Sequence, residues 1–323
     1  MVDNESLIIF EEKIMINHLF KDMSAGRGIM LTLLLVFVGF LLFMLLGVIT
    51  LTIIAGTWNP NMLSSAGLDS PLGLNGLRIM QMFQTTGLFV FPSIVMALLA
   101  SNNGVKFLGF YRVSFSHILL SILIMAVFIP GINLIGSLNA EIPVPEWMIE
   151  MERSAEDLIK RLLITDGAGT LILNLFVVAV LPAIGEELLF RGVLQKYFCR
   201  LTGNVFAGIV ITSLIFSAIH MQFLGFFPRF LLGMMFGYLY VWTGSIWTPI
   251  AVHFTNNALA VFAYFFIGME VIPENSETIG EVSDMWQIGA FSLIVGSALL
   301  WLVWKNRVTH QDLPGPAQAS EDL

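Results

Sequence analysis

Long apolar stretches constrain this chain more than any other feature of its sequence. Residues 29–56 contain no Asp, Glu, Lys or Arg. A membrane-spanning helix needs about 20 predominantly apolar residues. We therefore predict an all-α membrane protein of about eight transmembrane helices. The predicted spans are about 29–56, 77–100, 114–138, 168–193, 205–221, 223–243, 246–268 and 286–304.

The composition supports this class and excludes several others. Of the 323 residues, 57% are hydrophobic and only 12% are charged, whereas soluble domains carry about 25% charged residues. Cys199 is the only cysteine, which excludes an intrachain disulfide and a thiolate metal cluster. No basic stripe or nucleic-acid motif is present, so we expect lipid and not nucleic acid as the surroundings of this chain.

The distribution of charge predicts the orientation. With the N-terminus inside, nine of the 15 Lys and Arg residues fall in cytoplasmic segments and four on the opposite side. Lys and Arg are enriched in cytoplasmic loops. The predicted outer loops carry 13 of the 23 Asp and Glu residues. We therefore expect a multi-pass protein of the cell membrane with both termini cytoplasmic.

Three segments follow from this topology. Residues 1–28 are predicted to be a cytoplasmic N-terminal segment, 29–304 the polytopic membrane domain, and 305–323 a disordered C-terminal tail. The tail is polar and contains two prolines, a composition typical of disorder.

Three local features refine the prediction. Residues Glu146–Ile164 have apolar side chains at roughly helical spacing and predict an amphipathic helix on the outer surface. Whether that helix also acts as a gate or a substrate-docking surface stays open. Pro130 predicts a kink in the third span. Pro228 and Arg229 interrupt an apolar stretch, so the boundary between the fifth and sixth spans is placed least securely.

The stretch Gly185–Gly192 places ionisable residues inside an apolar run. Charged residues in a membrane segment are expensive and usually mark a site or face a polar interior. Glu187 and Arg191 are four residues apart, so in a helix they lie on one face and can pair. Glu186 points about 100° away and needs partners from elsewhere in the chain. The alternative is a buried polar clamp without chemistry, which leaves Glu186 unexplained.

Three further polar residues come from other predicted spans. His220 ends the fifth span, and His253 and Asn257 are four apart in the seventh. A single histidine in a membrane helix is more often an interhelical hydrogen-bond donor than a catalyst. Taken together with Glu186, each of these side chains would be costly if unpaired in lipid. We therefore predict that they share one cavity inside the bundle.

The depth of each side chain in the membrane, counted in residues from the nearest predicted turn, agrees only in part with one shared cavity. Glu186 and His220 each lie about 17 residues from the turn near Gly203, roughly 25 Å at 1.5 Å per residue. His253 lies about nine residues from the turn near Gly244, roughly 13 Å. A simple model of straight spans therefore does not bring His253 to the level of the other two.

The residue types suit hydrolysis. A glutamate can serve as general base to a water, and an asparagine amide can donate to a developing oxyanion. Histidines can bind a divalent metal or protonate a leaving amine. The spacing differs from His-Glu-x-x-His, so the residues alone leave metal use open.

Three motifs carry a resemblance to a known family. Glu186-Glu187-x-x-x-Arg191, Phe216-x-x-x-His220 and His253-x-x-x-Asn257 resemble, in order, the motifs of the type II CAAX prenyl protease and bacteriocin-processing (CPBP) family of intramembrane proteases. The resemblance covers about residues 168–268.

The resemblance implies an all-helical fold with its active site within the bilayer. It implies that Glu186 and His220 activate water, that Glu187 and Arg191 form a supporting ion pair, and that His253 and Asn257 stabilise the oxyanion or complete a metal site. If a divalent metal such as zinc is used, His220 and His253 are its expected ligands.

The predicted function is an intramembrane endopeptidase acting on a peptide or protein at the membrane. The alternative is a non-enzymatic membrane protein, either a proton-coupled transporter or a scaffold or immunity protein, because intramembrane Glu and His residues also build proton relays. Many transporters show repeated halves, and no such repeat is found in this sequence. The absence of a repeat favours the enzyme.

Overall fold

The computed structural model describes residues 23–56, 71–163, 167–273 and 278–307. This part of the chain is helical and contains no strand. Most of the predicted segments 1–28 and 305–323 lies outside the described residues. The main helices are α1 (Ala25–Ala55), α2 (Pro71–Thr85, Thr86–Val90 and Phe91–Ala100 in series), α3 (Phe115–Ala140), α4 (Glu146–Leu163), α5 (Ala168–Thr202), α6 (Val205–Ala218), α7 (Phe226–Thr243), α8 (Trp247–Gly268) and α9 (Trp286–Lys305).

The chain is an all-α membrane protein, as predicted. Helices occur at all eight expected positions, and six of those described are long and apolar enough to cross a membrane. The helix α6 has 14 residues, about 21 Å, which is shorter than a hydrocarbon core of about 30 Å. The helix α7 begins at Phe226, so Pro228 lies in its first turn, where a missing N–H is tolerated. The uncertain boundary is therefore residues 219–225, here called the α6–α7 loop.

The helix α5 is the centre of the bundle. Every residue from Gly185 to Gln195 is buried, and a helix that is buried on all sides must have neighbours around its whole circumference. Its neighbours include α1, α2, α6 and α8. Two apolar clusters lie against it. One contains Phe190 with Phe216 and Phe236, and the other contains Val193 with Met96 and Ile250.

Small residues bring α1 and α2 into close contact. A Cβ atom at Gly39 would lie 2.3 Å from the backbone oxygen of Gly87, and one at Gly87 would lie 2.6 Å from that of Gly39. No side chain fits at either position. Such close approach through small residues is a common way for helices to pack in membranes, where the hydrophobic effect does not drive association.

Pro130 lies inside α3, where Ser292 of α9 compensates for it. The Oγ of Ser292 donates to the backbone oxygen of Val127 at 2.6 Å and accepts from the N–H of Gly131 at 3.0 Å. These two backbone groups are four residues apart and would pair in a regular helix. The hydroxyl is therefore inserted into the helical ladder next to the proline, which is a known cause of bending.

The predicted amphipathic helix forms as α4 and packs on the α6–α7 loop. The ring of Trp147 lies 5.5 Å from that of Phe223, edge to face. Glu152 Oε2 accepts from the N–H of Leu224 at 3.1 Å. The side chain of Asn139 joins this loop to α7, donating to the oxygen of Phe223 at 3.0 Å and accepting from the N–H of Phe227, in the first turn of α7, at 2.8 Å.

Candidate active site

Glu187 and Arg191 form a fully buried ion pair one turn apart on α5. Arg191 Nη1 donates to Glu187 Oε1 at 2.9 Å, and both side chains are 0% exposed. Arg191 Nη2 donates to the backbone oxygen of Gly233 on α7 at 2.8 Å. The predicted pair is present, and it also joins α5 to α7. Buried charges of this kind require excellent geometry because each has lost its hydration.

Two π-helical segments flank the stretch that carries the glutamates. Leu175–Val180 precedes it and Leu188–Leu194 follows it. Single wide turns of this type occur frequently at functional sites. Each wide turn changes how the following residues are rotated about the helix axis. The faces of α5 over its whole length therefore cannot be read from a single period of 3.6 residues, although the local pair Glu187–Arg191 can.

His253 of α8 lies between the two glutamates of α5. Its Nδ1 is 2.9 Å from Glu187 Oε1, and its Nε2 is 3.9 Å from Glu186 Oε2. A carboxylate can only accept a hydrogen bond, so Nδ1 carries the hydrogen. A hydrogen bond from one ring nitrogen to a carboxylate fixes the orientation of the ring and exposes the other nitrogen to the site. Glu187 therefore positions His253 as well as Arg191.

His220 follows the end of α6 and is held by its own helix. Its Nδ1 lies 2.7 Å from the backbone oxygen of Phe216. Because a carbonyl only accepts, Nδ1 is again the donor, and Nε2 of the neutral ring is left as an acceptor. Both histidines are thus oriented through Nδ1.

Asn257 is held one turn beyond His253. Its Nδ2 donates to the backbone oxygen of Val178 at 3.1 Å, and its Oδ1 accepts from Asn256 Nδ2 at 3.0 Å. Val178 belongs to the first π-helical segment of α5. An amide nitrogen has two hydrogens, so one of them remains after the bond to Val178.

One cavity of about 260 Å³ brings the four predicted residues together. It lies beside the α6–α7 loop, because the loop and the first turn of α7 supply several of its walls. Glu186 is 8% exposed, and its Oε2 is buried without a hydrogen-bond partner among the described residues. The cavity is lined by Glu186, His220, His253 and Asn257 together with Ile132, Phe216, Gly225, Pro228, Arg229, Leu232, Phe236 and Asn256.

Aromatic rings fix the planes of the charged groups. The ring of Phe236 stacks on His253 with centroids 5.1 Å apart and planes at 24°. Phe216 meets His220 and His253 edge to face, at 5.2 and 5.9 Å. The guanidinium carbon of Arg191 lies 5.1 Å from the Phe216 centroid and 5.3 Å from the Phe236 centroid. Cation–π contacts of this kind strengthen when water is excluded.

The donor types at this site fit a divalent metal, but their arrangement does not. Two imidazole Nε2 atoms and a carboxylate are ligands that zinc accepts. Among the described residues, however, no group of three His, Cys, Asp or Glu side chains is placed to hold a metal ion.

Sequence reasoning missed two polar residues of the cavity. Arg229 lies in the first turn of α7 and lines the cavity. Asn256 supports the amide of Asn257. Each had a weak signal in the sequence. Arg229 interrupts an apolar run, and Asn256 is adjacent to a predicted site residue.

The depth count failed for His253, since the structure places His253 against Glu187 and across from Glu186. The cause is the length of α5, which runs for 35 residues, or about 52 Å. This exceeds a hydrocarbon core of about 30 Å. A helix of this length extends past the core at one end or at both, or is tilted, so a residue count from Gly203 does not measure the depth of Glu186.

Comparison with known proteins agrees with the motifs. Residues 168–259 match the family model for type II CAAX prenyl endopeptidase Rce1-like proteins. The matched range contains all six predicted site residues: Glu186, Glu187, Arg191, His220, His253 and Asn257. No solved structure matches the chain at a significant level.

Several curated relatives match parts of the chain. The membrane-embedded CAAX protease MroQ of Staphylococcus aureus (strain USA300) is 32% identical over 92 residues, which are 27% of this chain and 37% of MroQ. The uncharacterized protein YpbD of Bacillus subtilis (strain 168) is 33% identical over 90 residues, 27% of this chain and 43% of YpbD. An uncharacterized 24.3 kDa protein of Escherichia coli is 28% identical over 143 residues, 42% of this chain and 59% of that protein. The chain therefore matches between 37% and 59% of the length of these relatives.

Proposed function

We propose that this protein is an intramembrane endopeptidase that hydrolyses a peptide bond of a membrane-associated peptide or protein, because residues 168–259 match the Rce1-like family model. The observation that carries the proposal is the shared cavity of Glu186, His220, His253 and Asn257. We further propose that it works in the cell membrane with both termini cytoplasmic. The named relative MroQ is a membrane-embedded CAAX protease, which supports the reaction class.

In the proposed reaction Glu186 is the general base. Glu186 lines the cavity, and its Oε2 has no hydrogen-bond partner among the described residues, so the carboxylate has an unused acceptor for a water. Glu186 takes one proton from that water while the water oxygen attacks the peptide carbonyl carbon. General-base assistance of this kind contributes about 10²- to 10⁴-fold to a rate.

His220 orients the attacking water in this scheme. With its Nδ1 hydrogen engaged by Phe216, Nε2 of the neutral ring accepts the second hydrogen of the water. Two acceptors on different helices then fix both O–H bonds of the nucleophile. Fixing the geometry of the reacting groups is a large part of catalysis.

His253 and Asn257 stabilise the oxyanion. The imidazolium form of His253 donates from both nitrogens, to Glu187 Oε1 and into the cavity, and the second amide hydrogen of Asn257 is free for the same oxyanion. A donor aimed at the developing charge contributes about 2.7–4 kcal/mol in other hydrolases. As the tetrahedral intermediate collapses, the C–N bond breaks, and the proton held by Glu186 passes to the leaving amine.

A comparison of protein N-termini tests the proposal. Membranes from cells expressing the wild type are compared with membranes from cells expressing Glu186→Gln at matched protein levels. We expect N-termini that appear only with the wild type. Glu156→Gln on the exposed face of α4 serves as the control, because it makes the same chemical change at a side chain that is about half exposed.

Two outcomes separate the proposal from its rival. Termini shared by the wild type and Glu156→Gln but absent with Glu186→Gln support the protease. Identical termini in all three samples, with folded proteins, contradict it and favour a proton-coupled transporter or a scaffold. Purified wild-type protein in liposomes is then tested for flux driven by a pH gradient, which a protease does not produce.

A further inference from the structure

Arg229 brings a positive charge to the cavity that the proposed reaction does not use. It lies in the first turn of α7 and lines the same cavity as Glu186. Its Nη2 donates to Gln222 Oε1 at 2.7 Å and its Nη1 to the backbone oxygen of Gln222 at 3.4 Å. Both acceptors are neutral. Among the described residues, no carboxylate lies within ion-pair distance of this guanidinium.

Helix stability does not explain an arginine at this position. The N-terminal end of a helix carries a partial positive charge, so a cation in the first turn is unfavourable. Two other basic side chains lie near the cavity, Arg191 on α5 and His253 on α8. Both have Glu187 as a carboxylate partner. Arg229 thus hydrogen-bonds only to the neutral side-chain amide and backbone oxygen of Gln222. The carboxylates of Glu152 and Glu186 act on its charge from beyond ion-pair distance.

The local geometry leaves the guanidinium accessible from the cavity. A Cβ atom at Gly225 would lie only 3.2 Å from Arg229 Nη2, so the guanidinium lies along the backbone of the α6–α7 loop. An arginine has five N–H donors, and the two bonds to Gln222 use two of them. Three donors remain on this cavity-lining side chain, and a guanidinium can pair with both oxygens of a carboxylate.

We propose that Arg229 binds a carboxylate of the substrate and thereby selects which peptides are cleaved. This inference depends on the proposed protease function and adds a substrate class to it: peptides with a carboxylate a few residues from the scissile bond. The carboxylate is either the C-terminus of the substrate or an Asp or Glu side chain. Arg229 is a substrate-binding residue in this account and takes no part in proton transfer.

Sequence preference at the cleavage sites gives the first test. N-termini are compared for the wild type, Arg229→Gln, Arg229→Lys, Arg229→Glu and Arg153→Gln, an exposed arginine of α4 that serves as the matched control. We expect wild-type sites to have a carboxylate nearby, and Arg153→Gln to leave the sites unchanged. Arg229→Lys should retain the preference, and Arg229→Glu should shift it towards Lys and Arg. Such a shift is a new sequence preference, which a loss of folded protein cannot produce.

Synthetic peptides then identify the source of the carboxylate. One cleaved wild-type sequence is made in three forms: unmodified, amidated at the C-terminus, and with nearby Asp and Glu replaced by Asn and Gln. Purified Arg229→Gln should lower kcat/KM for the unmodified peptide by about tenfold or more, the effect of losing a hydrogen bond to a charged group. For the peptide lacking the relevant carboxylate, the ratio of kcat/KM between the wild type and Arg229→Gln should be much smaller than for the unmodified peptide. The peptide form that reduces the difference in kcat/KM between the wild type and Arg229→Gln identifies whether the C-terminus or a side chain supplies the carboxylate.

Three results would overturn the inference. Wild-type sites without any nearby carboxylate would do so, as would an equal loss of activity of Arg229→Gln on all three peptides. An altered pH profile with unchanged peptide preference would instead show that Arg229 acts through Glu186. Identical N-termini for the wild type and Glu186→Gln would instead contradict the protease function itself.

Discussion

His253 of α8 donates from Nδ1 to Glu187 Oε1 of α5 over 2.9 Å, and that same oxygen accepts from Arg191 over 2.9 Å. One carboxylate atom therefore holds a histidine of the cavity and the arginine that reaches α7. Because all three side chains are buried, a change at any one of them leaves the others with unpaired polar groups. The stability of the bundle and the geometry of the cavity are coupled through Glu187.

We predict that Glu187→Gln destabilises the protein strongly. The amide removes the charge that compensates Arg191 in a buried setting, and breaking such a pair costs about 3–5 kcal/mol. Thermal unfolding in detergent, followed by helical circular dichroism, measures the loss. Glu156→Gln, which removes the exposed partner of Lys160, should change stability by less than about 1 kcal/mol.

A double variant checks the cause of this effect. Glu187→Leu with Arg191→Leu leaves no unpaired charge, so it should be more stable than either single change. If the double variant is as unstable as the sum of the singles, the ion pair is not the reason for the loss.

We predict that His220→Ala and His253→Ala both reduce proteolysis by at least about 100-fold, yet differ in stability. His253→Ala removes a hydrogen bond to a buried carboxylate and the stacking on Phe236, so it should also lower the unfolding temperature. His220 bonds only to a backbone oxygen at the end of its own helix. His117→Ala, outside the cavity, is the control for activity. Equal loss of stability at His220 and His253 would contradict the linking role of His253.

We predict that Gly233→Ala weakens both the α6–α7 contact and the support of Arg191. A Cβ atom at Gly233 would lie 3.0 Å from the Cβ of Ser213, and the oxygen of Gly233 accepts from Arg191. Overpacking of this kind costs about 1–3 kcal/mol. Gly26→Ala, which meets nothing within 4 Å, should be neutral or slightly stabilising. The two variants are compared by thermal unfolding under the same conditions.

We predict that Ser292→Ala is destabilising because it removes the hydroxyl that bridges α3 beside Pro130. The N–H of Gly131 is then left without its partner, at a cost of about 1–3 kcal/mol. Ser297→Ala on the exposed face of the same helix is the matched control. Unfolding in increasing denaturant measures both. Similar midpoints for the two variants would mean that α3 recovers its backbone bond without the serine.

Much of the site was visible in the sequence because charge in a membrane segment is costly and therefore rare. Glu186, Glu187 and Arg191 stand out from an apolar run, and the ion pair follows from a spacing of four. The same reasoning assigned His220, His253 and Asn257 to one cavity, and the structure brings all of them to it. The catalytic roles remain proposals.

Other features could not be read from the sequence, because they depend on contacts between distant parts of the chain. The hydrogen bond between His253 and Glu187 joins residues 66 positions apart. The hydrogen bond from the N–H of Gly131 in α3 to Ser292 joins residues 161 positions apart. Arg229 belongs to the cavity only because the α6–α7 loop folds next to α5 and α8.

The sequence by itself determined the class of the protein, the positions of its helices and the polar residues that form its site, because each follows from the cost of placing polar groups in lipid. Tertiary structure alone decided how those residues face one another. Two π-helical turns in α5 change its helical rotation, and α5 is too long for a residue count to give the depth of Glu186. Such effects arise from the packing of the whole bundle around α5, and a local pattern of residues does not contain them.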